Sequence, residues 1–210
     1  MSGPSDIPAA IGLNLHSHLE GSVRPATAAQ LAMSLGVPPP SVGWDAALHM
    51  GEPGTLTAFL GHVAHAYPLF RTREALYRLA WEAVEDAMLD GQAFLELRFG
   101  PATHAGPSMP LEAVVDAASS GIRDASRRTG LPAGLIVCAL RHDDPDTNRA
   151  VAKAAAASAG LGVVGFDVRS CLSSRACCPT QALSSRSVSI VSRGLMPRFF
   201  ISFTAFVTIA

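Results

Sequence analysis

Two histidines stand one residue apart at the end of a short apolar run: the stretch LNLHSHLEGS, residues 13–22, carries His16 and His18. Side chains alternate along an extended strand, so residues at i and i+2 share a side and both imidazoles can converge on one ion. Neutral imidazole is a good zinc ligand, and a catalytic zinc centre takes three protein ligands while keeping one position open for water. H-x-H alone is a weak signal, because exposed loop histidines fall at this spacing by chance. The apolar strand before the pair and Glu20-Gly21 after it strengthen the metal reading.

The elements that must position these residues alternate along the chain. After the run IGLNLH, Pro25 can open a helix through Leu31 and Leu35 that stops at Gly36. Leu56, Phe59, Leu60, Val63 and Tyr67 fall at helical spacing up to Pro68. Thr72 reads as the N-cap of a helix through Leu76, Ala80, Val84 and Met88, closed by Gly91. The strand AFLELRF follows, then a helix from Pro110 to Gly130 and the strand GLIVCAL. A third cycle runs from a helix at about Asp146–Gly160 to the strand GVVGFDV. Four strands separated by helices predict a parallel α/β sheet. Ligand chemistry in such folds gathers at the carboxyl ends of the strands. Those ends carry His16 and His18, Arg98 and Phe99, Arg141 and His142, and Asp167.

Bland readings exist for the remaining candidates. Glu96 and Arg98 alternate with Leu95, Leu97 and Phe99, which suits a buried structural pair. His62, His65 and His104 fall on helix or loop, where surface placement is expected, and His142 is not expected to be a ligand. The residues at 56, 59, 60 and 63 read, on spacing alone, as ordinary core. Cys171, Cys177 and Cys178 lack C-x-x-C spacing, so a second metal site is not expected.

Composition bounds the class. The chain has 210 residues, 49% hydrophobic and 16% charged, with a net charge of −1. This suits a folded globular protein and gives no electrostatic pull toward nucleic acid or a membrane surface. The opening MSGPSDIPAA has neither a basic start nor an apolar core, so no secretory leader is expected. Four cysteines without a regular framework suit a reducing compartment, and the cytoplasm is the expected location. The closing FFISFTAFVTIA, twelve residues, is too short for a membrane span, which needs roughly twenty.

The averages conceal a break. The first 168 residues hold 11 Lys and Arg against all 17 Asp and Glu, whereas the last 42 hold five Arg, nine Ser, three of the four Cys and no acid. Two kinds of sequence meet near residue 168. The expectation is a body over 1–168 followed by an aberrant tail over 169–210, frame-shifted or replaced.

LHSHLEGSVRP resembles the opening motif of the adenosine deaminase family, H-x-H-[LV]-[DE]-G-[ST]. Further matches follow in order: LTAFL resembles the helix covering that family's active site, LELRFGP its second strand, CALRH its third, and GFD the start of its fourth-strand motif. The resemblance runs from about Ile11 to Val168. It implies a (β/α)8 barrel, of which this chain would hold roughly the first four β/α units, with one zinc ion at the carboxyl-end mouth. By resemblance His16 and His18 are the first two metal ligands, and His18 also faces the substrate. Glu20 would contact the ribose, and Leu56, Phe59, Leu60 and Val63 would form part of an apolar lid over the purine. The implied reaction is hydrolytic deamination of adenosine or deoxyadenosine, with a small purine nucleoside as partner and neither nucleic acid nor membrane.

The same resemblance exposes a gap. The family's third zinc histidine and its acid/base glutamate sit in an HAGE motif after the fifth strand, and its remaining His and Asp come later still. This chain has no His after His142 and no Asp or Glu after Asp167, and GFDVRSCL departs from the expected GFDLAGDE-like continuation. The expectation is that no catalytic residue of the family set is retained, that zinc is held weakly, and that the chain is truncated and inactive alone. The alternatives are a non-catalytic fragment, a purine-binding remnant, or a deaminase of adenine or another 6-aminopurine. Four strands of an incomplete barrel would also leave open edges for self-association.

Overall fold

The computed structural model describes residues 12–52 and 54–169. Four strands, β1 (Gly12–His18), β2 (Gln92–Phe99), β3 (Ala133–Leu140) and β4 (Val163–Arg169), form one parallel sheet in the order β1-β2-β3-β4. Helices α1 (Pro25–Leu35), α2 (Gly43–Leu48), α3 (Leu56–Ala64) and α4 (Arg73–Leu89) lie between β1 and β2. α5 (Leu111–Thr129) joins β2 to β3, and α6 (Pro145–Ala157) joins β3 to β4. Sequential parallel strands joined by helical crossovers make an arc of a (β/α) barrel, the incomplete barrel expected from the sequence.

Local chemistry sets the boundaries. Thr72 accepts the Ala75 N–H and caps α4, and Asp144 accepts the N–H groups of Asp146 and Thr147 to cap α6. α1 opens on Pro25 and ends at Gly36, whose φ of 66° is the left-handed conformation that glycine adopts without strain. α5 lies hard against α4 at Gly121, where a Cβ would sit 2.4 Å from the Tyr77 carbonyl oxygen.

The core lies between the sheet and α4, α5 and α6. Leu95, Leu97 and Phe99 of β2 and Leu135 and Val137 of β3 point into it, together with Leu76, Val84, Val114, Ile122 and Val151. On the outer strands apolar surface remains exposed: Leu13 and Leu15 on β1, Val164 and Val168 on β4. Among the described residues each of these strands pairs on one side only.

The structure differs from the sequence reading in two places. α2 was not expected, because WDAALH is too short to show a period between its Pro- and Gly-rich flanks. The helix beginning at Leu56 stops at Ala64, and Tyr67–Leu69 form a separate 3-10 turn around Pro68. The expectations for the tail, including its boundary, lie outside the described residues. No helix among those described is long and apolar enough to cross a membrane.

Candidate metal and substrate site

β1 delivers His16 and His18 to its carboxyl end, and a 3-10 turn, Leu19–Gly21, then carries the chain into the outer layer. Their ring centroids are 5.3 Å apart with planes inclined at 56°. Two imidazoles bound to one tetrahedral zinc at about 2.05 Å have centroids about 5.2 Å apart. The separation of the rings matches that of two such ligands. His18 is half-buried and His16 exposed. Among the described residues no group of three His, Cys, Asp or Glu could hold a metal.

The pair sits on an irregular strand. Pairing of β1 with β2 shifts register between Asn14 and Ser17. Inside that interval the Asn14 side chain donates to Ser17 Oγ at 2.8 Å, the Ser17 hydroxyl donates to Asn14 Oδ1 at 3.0 Å, and the His16 N–H donates to the same Oδ1 at 3.3 Å.

Glu20 is buried. Its Oε1 accepts the Gly100 N–H at 3.3 Å and lies 3.4 Å from His104 Nε2. Burial pushes its pKa up, but the His104 contact and charge, helped by backbone N–H groups, outweigh it and hold the carboxyl below its usual value. The carboxylate thus ties the end of β1 to the turn that follows β2.

His104 is corrected from the surface position expected of it, since its side chain is 2% exposed. The 3-10 turn Pro101–Thr103 folds the chain back over the end of β2 and puts the ring into an aromatic slot. It stacks on Phe70 at 4.7 Å and on Phe99 at 6.3 Å and meets the edge of Tyr67 at 5.9 Å. His62 is also less exposed than expected: its ring lies 2.9 Å from the Ala47 carbonyl and joins α3 to α2. His65 is exposed, as expected.

Arg98 does not make its ion pair with Glu96. Its Nη1 lies 3.3 Å from Asp167 Oδ2 on β4, and its Nη2 donates to the Leu15 carbonyl on β1 at 3.2 Å. Burial raises the pKa of Glu96, and the Arg98 charge only partly offsets it. On α3, capped by Thr55, Phe59 is 45% exposed and Leu60 and Val63 are half-buried, so these three are not core.

Comparison with known proteins shows the family. The family model described as adenosine deaminase matches residues 12–181, continuing past Val168, where the motif resemblance ends. The chain belongs to the adenosine deaminase family. An adenosine deaminase of Mycobacterium sp. (strain KMS) is 36% identical over 164 residues, covering 73% of this chain and 45% of that protein. A zinc-bound amidohydrolase structure from Burkholderia ambifaria superposes with a TM-score of 0.65 at 30% identity, covering 76% of this chain and 44% of that one. The N6-methyl-AMP deaminase from Arabidopsis thaliana gives 0.62 at 25% identity, covering 77% and 50%. The chain thus spans about half the length of these three proteins.

The sequence reading missed the Glu20–His104 pair and the Arg98–Asp167 bridge. For His104 the available signal was the Gly-Pro turn directly after a strand. No local signal existed for a bridge between residues 69 apart.

Proposed function

We propose that the protein is a zinc-dependent hydrolase of the adenosine deaminase type, to which this chain contributes the metal-holding histidine pair and the first half of the barrel. The observation that carries this is the convergence of the His16 and His18 rings, 5.3 Å apart, at the carboxyl end of β1 in a member of this family. Both would bind as neutral imidazoles. The chemistry a bound zinc supplies is Lewis acidity toward a water nucleophile, which hydrolytic loss of ammonia from a 6-aminopurine requires. His18, the less exposed of the pair, and Glu20 face the substrate in this reading, with Glu20 as the polar contact to the ribose. Phe59, Leu60 and Val63 of α3 cover the purine and exclude water from it; the Leu56 side chain lies outside the described residues. Adenosine or deoxyadenosine is the proposed substrate, in a cytoplasmic setting.

The 210 residues by themselves are proposed not to turn over adenosine. No His follows His142 and no Asp or Glu follows Asp167, so the third metal ligand and the acid/base group of the family pattern are not supplied from that part of the chain. Residues 1–168 then act as the amino-terminal half of the catalytic barrel, and 169–210 differ from them in composition. A purine-binding remnant without catalysis is the second reading, favoured by this same gap. Ultraviolet absorbance of adenosine incubated with purified, zinc-supplemented chain tests the proposal: no change above background is expected. Turnover abolished by His18→Ala would show that other residues complete the site.

A further inference from the structure

We propose that Arg98 is a positioning residue for the His16–His18 pair, an inference that rests on reading those histidines as metal ligands. β1 departs from regular pairing between Asn14 and Ser17, the interval that contains His16. At such an irregularity ladder bonds are lost and side chains are re-aimed. The direction of the imidazole then depends on whatever replaces the ladder. On β1 itself the replacement is the Asn14–Ser17 contact. From β2 it is Arg98, whose Nη2 donates to the carbonyl of Leu15, the peptide that enters His16.

Arg98 meets the motif at two points. It is the register partner of His18 and the donor to the residue before His16. Its other arm crosses β3 to reach Asp167 Oδ2 on β4, so one side chain braces β1, β2 and β4. A planar guanidinium presents donors in a rigid fork, and anchoring one arm fixes the other. Water competes little at the Asp167 end, where the side chains of Arg98 and Asp167 are 12% and 26% exposed, whereas the Leu15 end is exposed. Arg98 Nε is buried without a hydrogen-bond partner. The group therefore gives up one donor to keep both Nη contacts, as a brace set by its two ends would.

A brace that only stabilises the sheet would change the melting temperature and leave metal affinity alone. A positioning brace changes affinity in a chain that is still folded. Cobalt(II) titration of the full chain, followed by visible absorption and calorimetry with zinc in competition, separates the two. It compares the unmodified chain with His16→Ala, Arg98→Met, Arg98→Lys and Asp167→Asn, each checked by circular dichroism at the titration temperature. Arg98→Met is expected to weaken cobalt binding on the order of 10–100-fold, the range seen when outer supports of metal ligands are removed. Arg98→Lys should recover only part, because a single ammonium cannot hold both ends, and Asp167→Asn should weaken binding less. If His16→Ala loses the metal while folded Arg98→Met keeps full affinity, the inference is wrong and the ligand reading stands. Should Arg98→Met not fold, unchanged affinity in Asp167→Asn overturns the inference in its place. No cobalt uptake by the unmodified chain, or equal uptake by His16→Ala, overturns the ligand reading and the inference with it.

Discussion

On the helix-covered face of the sheet Leu95, Leu97, Phe99, Leu135 and Val137 are each at most 2% exposed, whereas on the other face Glu96, Arg98 and Asp167 stay partly open to solvent. The same alternation along β2 produces both. One face holds only apolar contacts, so its worth is burial and dispersion. The other holds groups that are awkward to keep there, a carboxyl whose pKa burial raises and an arginine with an unmet Nε. Stability comes from the first face, and the second is where the histidines and their supports lie.

Substitutions should separate the faces, with the core first. Phe99→Ala is expected to destabilise by about 3–5 kcal/mol in urea unfolding, and Leu135→Ala by about 2–5 kcal/mol. Equal losses from Glu96 or Asp167 variants would dissolve the contrast. Next comes the link between the faces at the mouth: His104→Ala leaves the buried Glu20 carboxylate short of a partner, at about 1–3 kcal/mol. A double-mutant cycle with Glu20→Gln should give a clear coupling energy, and additive losses would show that the pair is incidental. Thr72→Ala, which removes the α4 cap far from the mouth, is expected to cost about 1 kcal/mol and leave metal uptake unchanged.

The smallest effect sharpens the contrast by its sign. Glu96 has a pKa raised above 4.5 in the folded chain, so the native state holds its proton more tightly than the unfolded state. Its contribution is most favourable below the unfolded value and is lost as pH rises through the raised one. Glu96→Gln should therefore raise the melting temperature slightly at pH 7, and the gain should fade toward pH 4. A lower melting temperature at pH 7 would mean that the Glu96 charge is compensated on this face.

What was legible in the sequence follows the same division. The apolar face announces itself by period, which is why all four strands and the caps at Thr72, Gly36 and Gly130 could be placed. The H-x-H spacing is local and was readable too. The burial of His104 was not, because Phe70 and Phe99 meet it only once the turn after β2 has formed. Nor was the choice of Asp167 over Glu96 by Arg98, which is made by strand order. Pairings set by the sheet leave no trace in a window of ten residues.

Zinc titration by calorimetry asks whether His16 and His18 together hold one metal ion. One ion per chain is expected, bound more weakly than the roughly 10 kcal/mol or more of a closed structural zinc site, and lost in either His16→Ala or His18→Ala. Zinc bound with unchanged affinity in the double variant would contradict it.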